Sequence, residues 1–256
     1  EWVGKVYPLG TPTKRYLRAY TRQFNTIELN TTHYRIPSPG MVERWYAESA
    51  DDFRFCPKIP QSISHRRDLG LNDSQIEQFV GTIARLKEKL GCCFIQLPPF
   101  FGYERLELLE RFIQRWPTDV PLAVELRHES WFAEASRQYH TFGMLADHGI
   151  AAVITDVAGR RDVLHMQVTN PLTMVRFVGN GLDPSDYRRI DDWVMRLRTW
   201  CDRGLSRAYF FTHEPDNILA PELAAYLLEQ LKEHDGIVVR GPRLLDVEGE
   251  AQMRLF

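Results

Sequence analysis

The chain has 256 residues, of which 44% are hydrophobic and 26% charged; that balance excludes a disordered or collagen-like chain and predicts one large domain or two small ones. Lys plus Arg number 32 against 34 acidic residues, a net charge of -2, so no strong basic field draws the protein to nucleic acid, while a local basic pocket remains compatible. The longest apolar run, Cys92 to Phe101, is too short to span a bilayer, and the four cysteines, Cys56, Cys92, Cys93 and Cys201, form no CxxC pair, which predicts a reduced, cytoplasmic protein.

The chain opens on Glu1-Trp2-Val3-Gly4 as though an element were already under way, so a first strand is expected upstream. A short helical pattern over Pro12–Phe24 leads to the first strand candidate, Thr26–Asn30. A second short helix, Pro39–Glu48, precedes a strand at Phe53–Lys58. The spacing of Ile76, Phe79, Val80, Ile83, Leu86 and Leu90 predicts a helix over Asp73–Leu90, followed by a strand at Cys92–Leu97. Pro98 and Pro99 then stop pairing, with room for a cis bond. Helix Glu104–Trp116, strand Leu122–Arg127, helix Ser136–His148 and strand Ala151–Asp156 follow. Strand Thr173–Val178, helix Pro184–Cys201, strand Ala208–His213 and helix Pro221–Lys232 complete the series. Pro184 and Pro221 stand near helix starts, where a missing N–H costs nothing.

Each strand candidate is rich in Val, Ile, Phe or Leu, as a strand buried on both faces should be. Seven strands alternating with helices predict a parallel α/β fold. A (β/α)8 barrel typically takes about 250 residues, which fits if its first strand precedes Glu1. An open doubly wound sheet is the rival, but no G-x-G-x-x-G or Walker pattern supports it. The expected division is a barrel domain over 1–235 and a tail over 236–256.

In a parallel barrel the C-terminal strand ends carry function. Glu28 and Asn30 share one strand face, as do Glu125 and Arg127. Lys58, Gln96, Asp156, Arg176 and His213 add polar groups at or near other strand ends, with Asn217 in the loop beyond. Any one of these can be a solvated or paired group, and Glu125 with Arg127 can be an internal ion pair. Together they predict a polar cavity for a small anionic or polyhydroxylated ligand, since Arg binds carboxylate or phosphate bidentately. Glu28 and Glu125 are the candidate acid and base, with His128 assisting; the alternative for His128 is a loop cap. Glu28, Glu125, Asp156 and His213 leave room for a divalent metal, although no HExxH-type spacing accompanies them.

The segment from Asn25 through Ser38, Asn-Thr-Ile-Glu-Leu-Asn-Thr-Thr-His-Tyr-Arg-Ile-Pro-Ser, resembles the NTVEINSTFYRLPS signature of the YecE-like family, a domain of unknown function numbered 72. Asp52-Phe53-Arg54-Phe55 through Lys58, Gln96-Leu97-Pro98-Pro99, and Ala123 through His128 with Ser130-Trp131-Phe132 match in the same order. The resemblance extends to about residue 234 and implies a TIM barrel. The family opens on a strand like GTSGWSY, which this chain lacks, and tends to show FNND near its last strand, where this chain has Phe211-Thr212-His213-Glu214 before Asn217. The family brings no established activity.

Three functional expectations follow. The first is a hydrolase or lyase acting on a phosphorylated or sugar-like substrate, with Lys58, Arg127 and Arg176 holding the anion and Asn30 and Gln96 orienting it. The second is a metal-assisted phosphodiesterase or nuclease-like enzyme in DNA maintenance. The third is a non-catalytic ligand-binding protein. The C-terminal Gln252-Met253-Arg254-Leu255-Phe256 resembles the short peptide by which bacterial proteins dock on the DNA sliding clamp, with Gln252, Leu255 and Phe256 as the contacting positions. The alternative is that Leu255 and Phe256 pack back onto the barrel.

Overall fold

A computed structural model describes residues 2–232 and 237–245. The chain runs α1 (Tyr16–Gln23), β1 (Thr26–Leu29), α2 (Thr31–Tyr34), α3 (Pro39–Glu48), β2 (Arg54–Pro57), α4 (Gln61–Ser64), α5 (Gln75–Ile83) and β3 (Cys93–Gln96). It continues through α6 (Leu106–Arg115), β4 (Leu122–Glu125), α7 (Ala135–Asp147), β5 (Ala151–Val157), β6 (Leu172–Val178), α8 (Pro184–Asp202), β7 (Arg207–His213) and α9 (Ala220–Leu231). Short 3-10 turns lead into α1 and α6. The signals that start the longer helices are local. Ser38 caps α3 by accepting from the Met41 amide, and Asp183 caps α8 by accepting from Ser185, each with Pro at the first helical position.

All strand pairs are parallel and form an α/β fold with two sheets. One is β1-β2, the other β3-β4-β5-β6-β7, and neither is closed among the described residues. Two isolated parallel bridges, Phe55 with Leu90 and Lys58 with Phe94, run between the sheets where β2 meets β3. Alternation divides each strand between two environments. Cys93, Ile95, Val124 and Ala152 pack outward under the helices with Phe79, Ile83 and Phe112, while Val175 and Phe177 meet Trp193 and Leu197 of α8. Phe94, Ala123, Val153, Met174, Tyr209 and Phe211 face one another across the interior instead. That interior column supports the polar layer described below.

The helix expected over Asp73–Leu90 ends early. After α5 the chain passes into a 3-10 segment, Ala84–Lys89, broken at Lys87 with φ 49°. Lys89 explains the departure: its ammonium donates to the carbonyls of Tyr46 and Ser49 at 2.9 and 2.8 Å, groups left open at the end of α3. No peptide bond among the described residues is cis, so Pro98 and Pro99 end β3 in the trans form. Among the described residues no helix is long and apolar enough to cross a membrane.

Candidate functional site

Every strand delivers one inward side chain to a single polar layer near its C-terminal end. These are Glu28 from β1, Lys58 just beyond β2, Gln96 from β3, Glu125 from β4, Thr155 from β5, Arg176 from β6 and His213 from β7. The strand register pairs Gln96 with Glu125 and Thr155 with Arg176. Phe94 lies beneath, with Lys58 Nζ 6.0 Å and the Arg176 guanidinium 5.9 Å from its ring centre.

Arg176 is the hub. Its Nε and Nη2 donate to the two carboxylate oxygens of Glu28 at 2.8 and 2.9 Å, a bidentate fork. Its Nη1 donates to Glu125 at 3.1 Å. Glu125 also accepts from Gln96 Nε2 at 2.9 Å, and Gln96 Oε1 in turn accepts from Lys58 Nζ at 2.8 Å. Asn30 Nδ2 donates to Glu28 at 2.8 Å, and His213 Nε2 lies 3.1 Å from the other oxygen. Glu28 and Lys58 are each 8% exposed and Glu125 only 1%, so the network is desolvated and its pairing decides its cost.

Burial alone would raise the Glu28 carboxyl. The charge of Arg176 and the hydrogen bonds from His213 and Arg176 outweigh it and hold Glu28 well below the usual carboxylate range. Lys58 moves the opposite way for an amine: burial, then the charge of Arg176, lowers its pKa against the opposing pull of Glu125 and Glu28.

Of the residues expected at the mouth, Glu28, Asn30, Lys58, Gln96, Glu125, Arg176 and His213 come together in this network. Arg127, two residues beyond the end of β4, is partly buried; its charge acts on Lys58 and His65, and its guanidinium makes no hydrogen bond or ion pair among the described residues. Three expected members are elsewhere. Asp156 faces the opposite side of β5, where it accepts from Arg161, Arg189 and Trp193 Nε1 at 2.6, 2.9 and 2.8 Å. The reason is alternation: Ala151 and Val153 point inward, so Thr155 joins the layer and Asp156 points to α8. Thr155 was overlooked although that parity identifies it, and its buried hydroxyl has no hydrogen-bond partner among the described residues. His128 caps its own loop, with Nδ1 accepting from the Ser130 amide at 3.1 Å. Asn217 builds a turn at φ 59°, its side-chain oxygen accepting from the Glu214 amide.

The metal set proposed from sequence does not gather either. Glu28 and His213 touch, Glu125 lies across Arg176, and Asp156 faces away; among the described residues no group of three His, Cys, Asp or Glu is arranged to hold a metal. Trp131 is fully buried against Phe101, to whose carbonyl its Nε1 donates, and Tyr34 is exposed. Two histidines that sequence reading passed over stand on the turns after β1 and β2. The His33 and His65 rings meet edge to face with centres 5.5 Å apart.

A cleft of about 970 Å³ separates β1 from β7. It touches the layer at Glu28, Asn30 and His213, but its walls are largely apolar side chains and strand edges, and it does not reach Lys58 or Arg127.

The profile of a family described as "Protein of unknown function DUF72" matches residues 1–245. The chain belongs to the DUF72 family. It is 32% identical over 235 residues to the UPF0759 protein YecE of Escherichia coli K12, covering 85% of this chain and 86% of that protein. It is 30% identical over 135 residues to the UPF0759 protein YunF of Bacillus subtilis 168, covering 50% and 48%. Among solved structures, a DUF72 family protein from Enterococcus faecalis V583 superposes with a TM-score of 0.71 at 22% identity, covering 87% of this chain and 95% of that one. A DUF72 family protein from Thermotoga maritima MSB8 gives 0.67 at 26% identity, covering 91% and 93%. These DUF72 neighbours support the parallel α/β fold, and none of their descriptions carries an activity.

Proposed function

We propose that this DUF72 protein is an enzyme, a lyase or hydrolase, acting on a small anionic, phosphorylated or sugar-like substrate bound above the polar layer. We further propose that the two sheets are arcs of one (β/α)8 barrel. Contacts at both borders support the barrel: Lys58 reaches Gln96 at one, and His213 reaches Glu28 at the other. The observation that carries the functional reading is a charge arrangement. Both glutamates of the polar layer are occupied by Arg176, while among the described residues Lys58 has only a neutral amide as acceptor and the Arg127 side chain has no partner.

Roles follow from that arrangement. Arg176 positions the carboxylates instead of holding the ligand. Glu28, held ionised, makes a poor proton donor. Lys58 and Arg127 face the anion, and Lys58, whose ammonium burial makes more acidic, is the candidate proton donor. Glu125 orients Lys58 through Gln96. A reducing, cytoplasmic setting suits the buried free thiols Cys56, Cys92 and Cys93, whose pKa values burial raises, Cys56 to about 12.

The test is turnover of a panel of phosphorylated sugars and sugar acids by the intact chain. Lys58→Met should abolish it, and Glu125→Gln should lower kcat at least ~100-fold with the thermal midpoint little changed, because Arg176 keeps its fork on Glu28. Turnover that survives Lys58→Met would sink the catalytic reading, and ligand binding without turnover would favour the non-catalytic one.

The clamp-docking residues Gln252, Leu255 and Phe256 lie outside the described residues. We propose that this tail docks on a DNA sliding clamp as an extended peptide with Leu255 and Phe256 in an apolar groove, at roughly micromolar affinity because only a few residues make the contact. A synthetic peptide of the tail should bind a bacterial clamp, and a Leu255→Ala, Phe256→Ala control should not; equal, negligible binding by both ends the idea.

A further inference from the structure

We propose that His33 and His65 complete, with Lys58 and Arg127, a subsite for a phosphate or sulfate group that takes up a proton as the anion binds. The inference rests on the reading of Lys58 and Arg127 as the ligand-facing cations.

The geometry begins with register. Leu29 pairs with Pro57, so β1 and β2 end side by side and the turns that follow them, α2 and α4, are neighbours. Thr32 ties the two exits together by donating its hydroxyl to the Lys58 carbonyl at 2.7 Å. His33 Nδ1 lies 3.2 Å from the Ile59 carbonyl, which can only accept, so the neutral ring carries its proton on Nδ1 and a lone pair on Nε2. His65 Nδ1 is engaged by the Ser64 hydroxyl at 2.9 Å. Neither Nε2 has a hydrogen-bond partner among the described residues, and His65 is exposed while His33 is half-buried, so neither ring is a packed core histidine.

The electrostatic surroundings are one-sided. The charged or titratable neighbours acting on His33 are Lys58 and His65; those acting on His65 are Lys58 and Arg127; no carboxylate is among them. Burial and this cationic company lower the pKa of both rings and favour their neutral form, beside two cations that make no direct ion pair among the described residues. An arriving oxyanion reverses the balance. It neutralises Lys58 and Arg127, makes protonation of an imidazole favourable, and converts an Nε2 acceptor into a charge-assisted donor aimed at the ligand. The proton comes from the buffer.

Sulfate is the probe, because it stays fully ionised from pH 6 to 8 and any proton taken up belongs to the protein. Calorimetric titration of the intact chain at constant ionic strength, in two buffers of different ionisation enthalpy, should show net proton uptake. Affinity should strengthen as pH falls, approaching tenfold per pH unit for one linked proton. His33→Gln with His65→Gln should weaken binding about tenfold and flatten the pH dependence. The His65→Gln change alone, at an exposed position whose side-chain hydrogen bond is to Ser64, should give part of the same change. Absence of sulfate binding to the parent chain, or an unchanged pH slope in the double variant, overturns the subsite. The two readings separate cleanly: if the histidine dependence fails while Lys58→Met still abolishes turnover, only the subsite falls. If proton-linked binding stands while turnover survives Lys58→Met, only the catalytic assignment falls.

Discussion

His165 stands in the loop between β5 and β6 with both ring nitrogens engaged: Nε2 donates to the Val153 carbonyl at 3.1 Å, and Nδ1 accepts from the Gln167 amide at 3.2 Å. Phe142 and Phe132 close over it with ring centres 4.7 and 5.7 Å away. Burial lowers its pKa to about 4, only partly offset by the bond to Val153. The same ring titrates near ~6.5 in an unfolded chain. A folded-state value below the unfolded one means that the stabilisation is complete above about pH 6.5 and is lost as pH falls toward the folded value. The gap is worth about 3 kcal/mol. Urea melts from pH 7 to pH 4 should therefore lose about that much from this group, and His165→Gln should lose stability less steeply over the same range. Parallel slopes for the two proteins would show that another group sets the acid limit. The contrast between Thr155 and Asp156 is the other lesson at this scale. A strand-end carboxylate is conspicuous in a sequence, but strand parity, which is also in the sequence, decides which neighbour faces the interior.

Asp156 has an architectural task that only the packed elements reveal. Arg189 of α8 donates to it and also to the Val178 carbonyl and Asp186, while lying over the Phe177 ring at 4.2 Å. Trp193, one turn further along α8, donates its indole N–H to the same carboxylate. The helix is thereby pinned to the exits of both β5 and β6. Asp156→Ala leaves the Trp193 donor and one face of Arg189 buried without partners, so a loss of about 3–5 kcal/mol is expected in urea denaturation, with sulfate affinity unchanged. Lost affinity at unchanged stability would return Asp156 to the binding site. Elements long enough to show a period were legible from the sequence. All seven observed strands overlap their expected positions, and α3 has the expected ends, Pro39 and Glu48. The four-residue helices α2 and α4 were not legible, because one turn carries no periodicity; α2 holds His33, and His65 caps the C-terminal end of α4.

At the scale of the whole molecule, seven strands predicted the parallel sheets, and the shared inward faces predicted most of the polar layer. What could not be read was who pairs with whom: Arg127, its neighbour on one strand, was the alternative partner weighed for Glu125, yet Arg176 from two strands away takes it together with Glu28 from the other sheet. Side-chain pairing across an interior depends on how strands are arranged in space, and spacing along the chain does not encode that arrangement. The consequence is that Arg176 ties the two sheets through a buried charge. Arg176→Met should cost about 3–5 kcal/mol at neutral pH, since it leaves Glu28 and Glu125 as buried carboxylates without their cation. The pH dependence of that cost has a definite sign. In the parent chain Glu28 sits below its unfolded value, so its contribution is present above that value, near ~4.3, and is lost in acid. Without Arg176, burial pushes the carboxyl above the unfolded value, and stability is regained as pH falls through the raised one. The variant-minus-parent difference in urea midpoint, in which the His165 contribution cancels, should therefore narrow from pH 7.5 to pH 5. Adding Glu28→Gln to Arg176→Met should recover part of the loss at pH 7.5, because a neutral amide replaces the stranded charge. A difference that stays constant with pH, with no recovery in the double variant, would mean that packing of the arginine stem, and not its charge, holds the sheets together.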